Sequence, residues 1–246
     1  MWDDARQLNA IALVLAAVAV TVFVWGALAW AMRQPAFAIR EVVVTTPLAR
    51  ASGAHVESIV REELGGTFFT MDLERARRTL AQVPWIRNVA LRRQWPHRLE
   101  IVVEEQAPFA RWNDAALVNP QGEVFVADWN GDLPQFSGPD GQSALMTTRF
   151  RDWSAALAPL ALTVRALTMS ARGGWRIAAV GATGALTLEL GRDDPAGRLA
   201  RFVTAHGRTV GALARDGRPV EWVDLRYRSG FAARIPGFRE KPARKS

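Results

Sequence analysis

Residues 83–105 read VPWIRNVALRRQWPHRLEIVVEE. From Trp85 to Arg93 a period of two puts Val89 and Leu91 on one face of a strand. A turn at Trp95-Pro96-His97 follows, and then Leu99, Ile101 and Val103 alternate with Glu100, Val102 and Glu104. Two strands around a short turn bury one apolar face only if something covers it. The residues upstream supply the cover. Asp72 is placed to cap a helix whose apolar face is Leu73, Ala76, Leu80 and Val83, and Pro84 follows its end. Before it, Val56, Ile59, Val60 and Leu64 fall at helical spacing, with Gly65-Gly66 as the stop. Arg40 to Thr45 is rich in β-branched residues and reads as a first strand. The order β-α-α-β-β predicts a three-stranded sheet with two helices on one face.

Further upstream the pattern changes. No charged side chain occurs from Gln7 to Met32, and Ile11 to Trp30 is apolar apart from Thr21 and Gly26. Twenty residues at ~1.5 Å each span a hydrocarbon core of ~30 Å. Trp2, Trp25 and Trp30 stand near the ends, where indoles favour the interface. Ala29-Trp30-Ala31 could pass for a signal-peptide cleavage site, but the apolar run is too long and the preceding Asp3-Asp4-Arg6 is not basic. The segment reads as a retained anchor. With Arg6 before it and Arg33 and Arg40 after it, the balance of positive charge does not set its orientation.

Downstream of Ala107 the chain is mostly β. Ala116–Asn119 and Glu123–Ala127 flank a turn at Gly122, and Leu133–Phe136 ends at Gly138-Pro139-Asp140-Gly141. Phe150, Trp153, Leu157 and Leu160 mark a helix. Arg165–Ser170, Trp175–Ala179 and Leu186–Leu190 read as strands separated by glycine turns. Asp194-Pro195 opens another helix with Leu199, Phe202, Val203 and His206 on its inner face. Glu221 to Arg234 reads as one long strand broken near Ser229-Gly230. The fold class is therefore α+β. The expected organisation is a short segment 1–9, a membrane helix 10–31, the β-α-α-β-β domain 37–106, a mostly antiparallel β domain with flanking helices 107–235, and a disordered basic tail 236–246.

Composition narrows the chemistry. Cysteine is absent, which excludes disulfides, cysteine–zinc sites and a thiol nucleophile. The three histidines lie far apart, and no zinc-protease helix can be built from them. The net charge is +7, but the arginines are scattered, so no nucleic-acid surface is expected. There is no G-x-S-x-G elbow and no phosphate-binding loop. Asp128-Trp129-Asn130-Gly131-Asp132 begins like a calcium loop, but Leu133 and Pro139 occupy the positions that need glycine and glutamate. Glu104 and Glu105 point to opposite faces of a strand and read as solvated charges. No catalytic residue, metal site or cofactor is expected.

The segments 83–89, Arg93-Gln94-Trp95-Pro96 and 99–112, with Leu117–Phe125, Leu133–Pro139, Leu190-Gly191-Arg192, Arg198–Phe202 and Val223-Asp224-Leu225-Arg226-Tyr227-Arg228-Ser229-Gly230, together resemble the FtsQ/DivIB family of bacterial cell-division proteins. Asn119 stands where that family commonly has aspartate, and the segment before the anchor is very short. The resemblance implies that the β-α-α-β-β unit is a POTRA domain. It implies a non-catalytic scaffold of the division septum in the inner membrane, N-terminus cytoplasmic and bulk periplasmic. The implied partners are FtsB and FtsL, with the synthase pair FtsW and FtsI, FtsK and FtsN as further contacts. Another single-pass POTRA protein of translocation or outer-membrane assembly is the alternative, and a cell-wall enzyme or glycan-binding module a third reading. Val223, Leu225 and Tyr227 alternate with Asp224, Arg226 and Arg228, and a closing strand at a sheet edge would accept an FtsB strand. Ser229, Gly230 and Phe231 follow on that edge. By the resemblance, Tyr227 matches the position that anchors FtsB, and Arg172 an arginine that pairs with an FtsB carboxylate.

Overall fold

The computed structural model describes residues 5–51, 53–63 and 67–236. The helix stop at Leu64-Gly65-Gly66, Trp2, Asp3 and Asp4 before the anchor, and the basic tail from Gly237 on lie outside the described residues. The chain divides into two compact units, Met1–Gln106 and Ala107–Ser246.

The first unit opens with α1 (Ala5–Met32). Its stretch Leu8–Met32 is the one helix, among the described residues, long and apolar enough to cross a membrane. After a short 3-10 turn at Pro35–Phe37 come β1 (Glu41–Val44), α2 (Gly53–Glu63), α3 (Leu73–Leu80), β2 (Ile86–Gln94) and β3 (Arg98–Glu105). The sheet order is β1-β3-β2, with β1 parallel to β3 and β2 antiparallel to it. The Asp72 side chain accepts the Arg75 N–H at 3.0 Å and starts α3. Leu99, Ile101 and Val103 face inward against Val56, Val60 and Leu80. Ile86 and Val89 are both buried although three residues apart, because the register slips between Ile86 and Asn88. That extra residue turns Ile86 back to the core face. Glu105 is not a solvated charge. Its carboxylate accepts the N–H groups of Ala49, Arg50 and Ala51 at 3.0, 2.9 and 2.7 Å. Partial burial pushes its carboxyl up, but these three bonds outweigh it and leave the group below the usual range. Glu104 pairs with Arg87.

The second unit is built on a nine-stranded mixed sheet: β4 (Ala110–Trp112), β5 (Ala116–Val118), β6 (Val124–Phe125), β7 (Gln135–Ser137), β8 (Thr163–Met169), β9 (Trp175–Gly181), β10 (Gly184–Gly191), β11 (Trp222–Asp224) and β12 (Ala232–Arg234). Its order is β12-β11-β10-β9-β8-β7-β4-β5-β6. Five pairings are antiparallel; β4–β7, β7–β8 and β10–β11 are parallel. The helices are α4 (Ser143–Leu157), α5 (Pro195–His206) and α6 (Val210–Arg215). Phe136, Leu157, Ile177, Leu188, Leu199 and Phe202 are fully enclosed between sheet and helices. Trp153 and Trp175 meet edge to face, 5.2 Å apart at 84°.

One expected element is corrected. Glu221 to Arg234 is not a long strand with a break. It folds back on itself, so that Trp222, Val223 and Asp224 pair with Arg234, Ala233 and Ala232 in an antiparallel hairpin.

Candidate partner interface

The reason for the fold-back lies in Asp224. The Leu225 N–H still donates to the Glu189 carbonyl of β10 at 2.9 Å. One residue later the Asp224 carboxylate captures the Arg226 N–H at 3.0 Å, an Asx turn that ends the strand. The same carboxylate, only 2% exposed as a residue, accepts two bonds from Arg226 Nε and one from Nη2 at 2.6–3.0 Å. This pairing with Arg226 holds the Asp224 carboxyl below its ordinary value, against the opposing effect of burial, and holds the guanidinium charged. Two arginines cross the end of β10 at Gly191, whose φ is +71°. A Cβ there would lie 2.7 Å from Arg198 Nη1 and 2.9 Å from Arg226 Cγ. Glycine thus leaves room for Arg226 to reach Asp224.

The eight residues singled out by sequence then separate. Val223 and Leu225 are buried in the sheet's main core, at 0% and 3% exposure, so their side chains are not a contact surface. Their strand is also no edge, because β10 and β12 flank it. Arg226 is committed to Asp224, although its side chain is 57% exposed. Phe231 turns inward to meet Phe202 edge to face at 6.1 Å and pins the loop down. Tyr227 stands out instead of packing in the core. At 58% exposure it is the one exposed large aromatic among the described residues of this unit. Ser229 and Gly230 are exposed beside it. With Leu225 and Phe231 they line a pocket of ≈ 240 Å³ against α5, with Phe202 as a wall and Arg198 and Arg201 at the rim.

Arg172 lies in the β8–β9 turn and is exposed. The registers place it: Gly191 pairs with Trp175 just after that turn, and Asp224 pairs with Glu189. The β8–β9 turn and the exit from β11 therefore share one end of the sheet, two to three strand spacings or roughly 10–15 Å apart. The outer side of β12 carries no further strand among the described residues, and Ala232–Arg234 are all exposed. Sequence reading placed the edge on the segment 223–231; the geometry places it on 232–234, and the signal for it was the Asx-turn chemistry of Asp224.

Asp132, in the calcium-like loop, pairs with Arg165 at 2.6 Å. Among the described residues no three His, Asp or Glu side chains converge on a point.

Residues 37–106 match the model of the POTRA domain, FtsQ-type, and residues 110–226 match that of the cell division protein FtsQ/DivIB C-terminal domain. The chain belongs to the FtsQ/DivIB family. Among its relatives, the cell division protein FtsQ of Bordetella pertussis is 35% identical with full coverage of both chains. That of Burkholderia pseudomallei is 35% identical over 97% of this chain and 96% of its own. That of Nitrosospira multiformis is 37% identical over 95% and 99%. The FtsQ/DivIB match ends at Arg226, so Tyr227 to Phe231 lie just past it.

Proposed function

We propose that this FtsQ/DivIB-family chain is a non-catalytic scaffold of the septum that captures FtsB, together with FtsL, by adding a partner strand to the outer side of β12. The single observation that carries the reading is the exposed edge at Ala232–Arg234 with the outstanding Tyr227 beside it. Backbone bonds along the edge supply affinity, and Tyr227 supplies specificity as an aromatic anchor. Arg172 attracts a partner carboxylate at the same end of the sheet. Through FtsB and FtsL the scaffold helps bring FtsW and FtsI to the division site, while the POTRA domain serves upstream contacts such as FtsK, with FtsN as a further partner. In this reading residues 1–9 are cytoplasmic, 10–31 span the inner membrane, 37–106 and 107–235 are periplasmic domains, and 236–246 are a basic tail.

The test is titration of the purified chain with the periplasmic part of FtsB. Tyr227→Ala should cost ~2 kcal/mol or more, which is roughly 30-fold in Kd. Arg172→Glu should weaken binding more strongly as salt is lowered, since it exchanges attraction for repulsion. A folded Tyr227→Ala chain that binds FtsB like the wild type would exclude this edge as the interface.

A further inference from the structure

The POTRA domain carries an exposed indole at an unexpected place. Trp95, at the tip of the β2–β3 turn, is 73% exposed; among the described residues of its unit outside α1, the next most exposed large aromatic is Phe69, at 45%. A tryptophan so exposed in a folded domain loses the benefit of burying its ring, and its indole suits a boundary between apolar and wet surroundings.

The topology fixes which end of the domain this tip occupies. Strand β1 runs parallel to β3, with Glu41 beside Arg98 and the two joined by a two-pronged ion pair at 2.9 and 3.0 Å. The His97 carbonyl, two residues past Trp95, accepts the N–H groups of Arg40 and Glu41 at 2.9 and 3.3 Å. The β2–β3 tip therefore sits at the end of the sheet where the chain arrives from α1. Only the eight residues 33–40 intervene, and they are not a free tether. The Met32 carbonyl accepts the Thr67 hydroxyl at 2.6 Å, Ala38 bridges Thr67, and Phe68 N–H donates to the Phe37 carbonyl at 2.7 Å. Phe69 packs edge to face on Phe37 at 5.2 Å in the same place. Arg33 and Arg40 are exposed along this connection.

We infer that the Trp95 tip is seated in the headgroup region of the bilayer that α1 crosses, and so fixes how the POTRA domain stands on the membrane. The polar layer on each side of the hydrocarbon core is ~5–8 Å deep. Indoles concentrate there, and exposed arginines beside the tip favour anionic headgroups. Because α1 already holds the domain at the surface, the second contact needs little affinity of its own. The inference rests on α1 as a membrane span and on nothing said above about FtsB.

The absence of cysteine makes the test clean. The full chain is reconstituted in phosphatidylethanolamine–phosphatidylglycerol vesicles, with a single environment-sensitive label at Gln94→Cys, next to the tip. Asn88→Cys, near the opposite end of β2, serves as the aqueous control, and Ala19→Cys reports the span. The label at position 94 should be quenched by headgroup-nitroxide lipid and protected from iodide, and the label at 88 should show the reverse. Adding Trp95→Ser should abolish the protection at 94, while circular dichroism confirms the fold and Trp95→Phe restores part of the effect. Equal iodide access at 94 and 88 overturns the inference, as does protection that survives Trp95→Ser. An iodide-accessible label at 19 would remove the span itself.

Discussion

Leu225→Ala separates a core role from a contact role at a residue that sequence reading assigned to the partner surface. Leu225 is 3% exposed and packs in the main core of the second unit. Leucine-to-alanine changes at such sites cost ~2–5 kcal/mol, the larger values where the site cannot relax. Leu225 borders the ≈ 240 Å³ pocket beside Phe231, so neighbouring side chains have room to shift, and ~2–3 kcal/mol is expected. For a unit of this size that lowers its melting temperature by roughly 10 °C. Near-ultraviolet circular dichroism is the assay, because the edge-to-face Trp153–Trp175 pair lies in this core and contributes to the signal. Tyr227→Ala in parallel should move the transition little, by ~0.5 kcal/mol or less, as for other exposed sites. A Leu225→Ala chain that melts with the wild type would refute the placement. It would mean that β11 is slipped by one residue, with Asp224 and Arg226 facing the core in its stead.

In the first unit, Leu80→Ala should cost ~2–5 kcal/mol by denaturant titration, since Leu80 is fully buried, and should leave the Trp153–Trp175 signal in place. The acid limb of stability should depend on Asp224 and Glu105. Both carboxyls are held below their unfolded values of 3.8 and 4.5, so each contributes fully above that value and loses the contribution as pH falls through its folded value. Asp224→Asn should flatten the decline of stability below about pH 4 in the second unit, and Glu105→Gln should do so in the first; unchanged acid unfolding curves would contradict both pairings.

Much of the fold is legible because local signals agree with the tertiary ones. Leu99, Ile101 and Val103 alternate and are all buried, Asp72 and Asp194 cap helices as their positions demand, and the glycine turns divide β8, β9 and β10. What escaped was settled by side-chain–backbone bonds that periodicity does not register. Leu225 and Tyr227 keep a strand's alternation, yet the Asp224 carboxylate closes an Asx turn between them and the chain reverses. Glu105 looks like a surface charge until three N–H groups from residues 49–51 are found on it. The helix read from Phe150 begins at Ser143, because polar Ser143 and Thr147 satisfy themselves on the Gly122 and Ser143 carbonyls and can be buried. The short helix α6 carries too few turns to show a period. For the candidate interface the resemblance supplied Tyr227 and Arg172, whereas the burial of Val223 and Leu225 and the inward turn of Phe231 onto Phe202 depend on tertiary packing that the sequence pattern does not register.

The strand order of the large sheet also bears on how it assembles. From β7 to β12 each strand lies beside the one before it in sequence. A chain emerging amino end first can lay these strands down one after another, each docking on a template already in place; β8 to β10 need only short turns, whereas β8 and β11 dock only after α4 and the α5–α6 pair have been bridged. Among the described residues β12 is the outermost strand on this side, and its outer side still presents backbone hydrogen-bonding groups. A rung laid down last in such an order rests on a single neighbouring strand, β11, and so has the least to hold it.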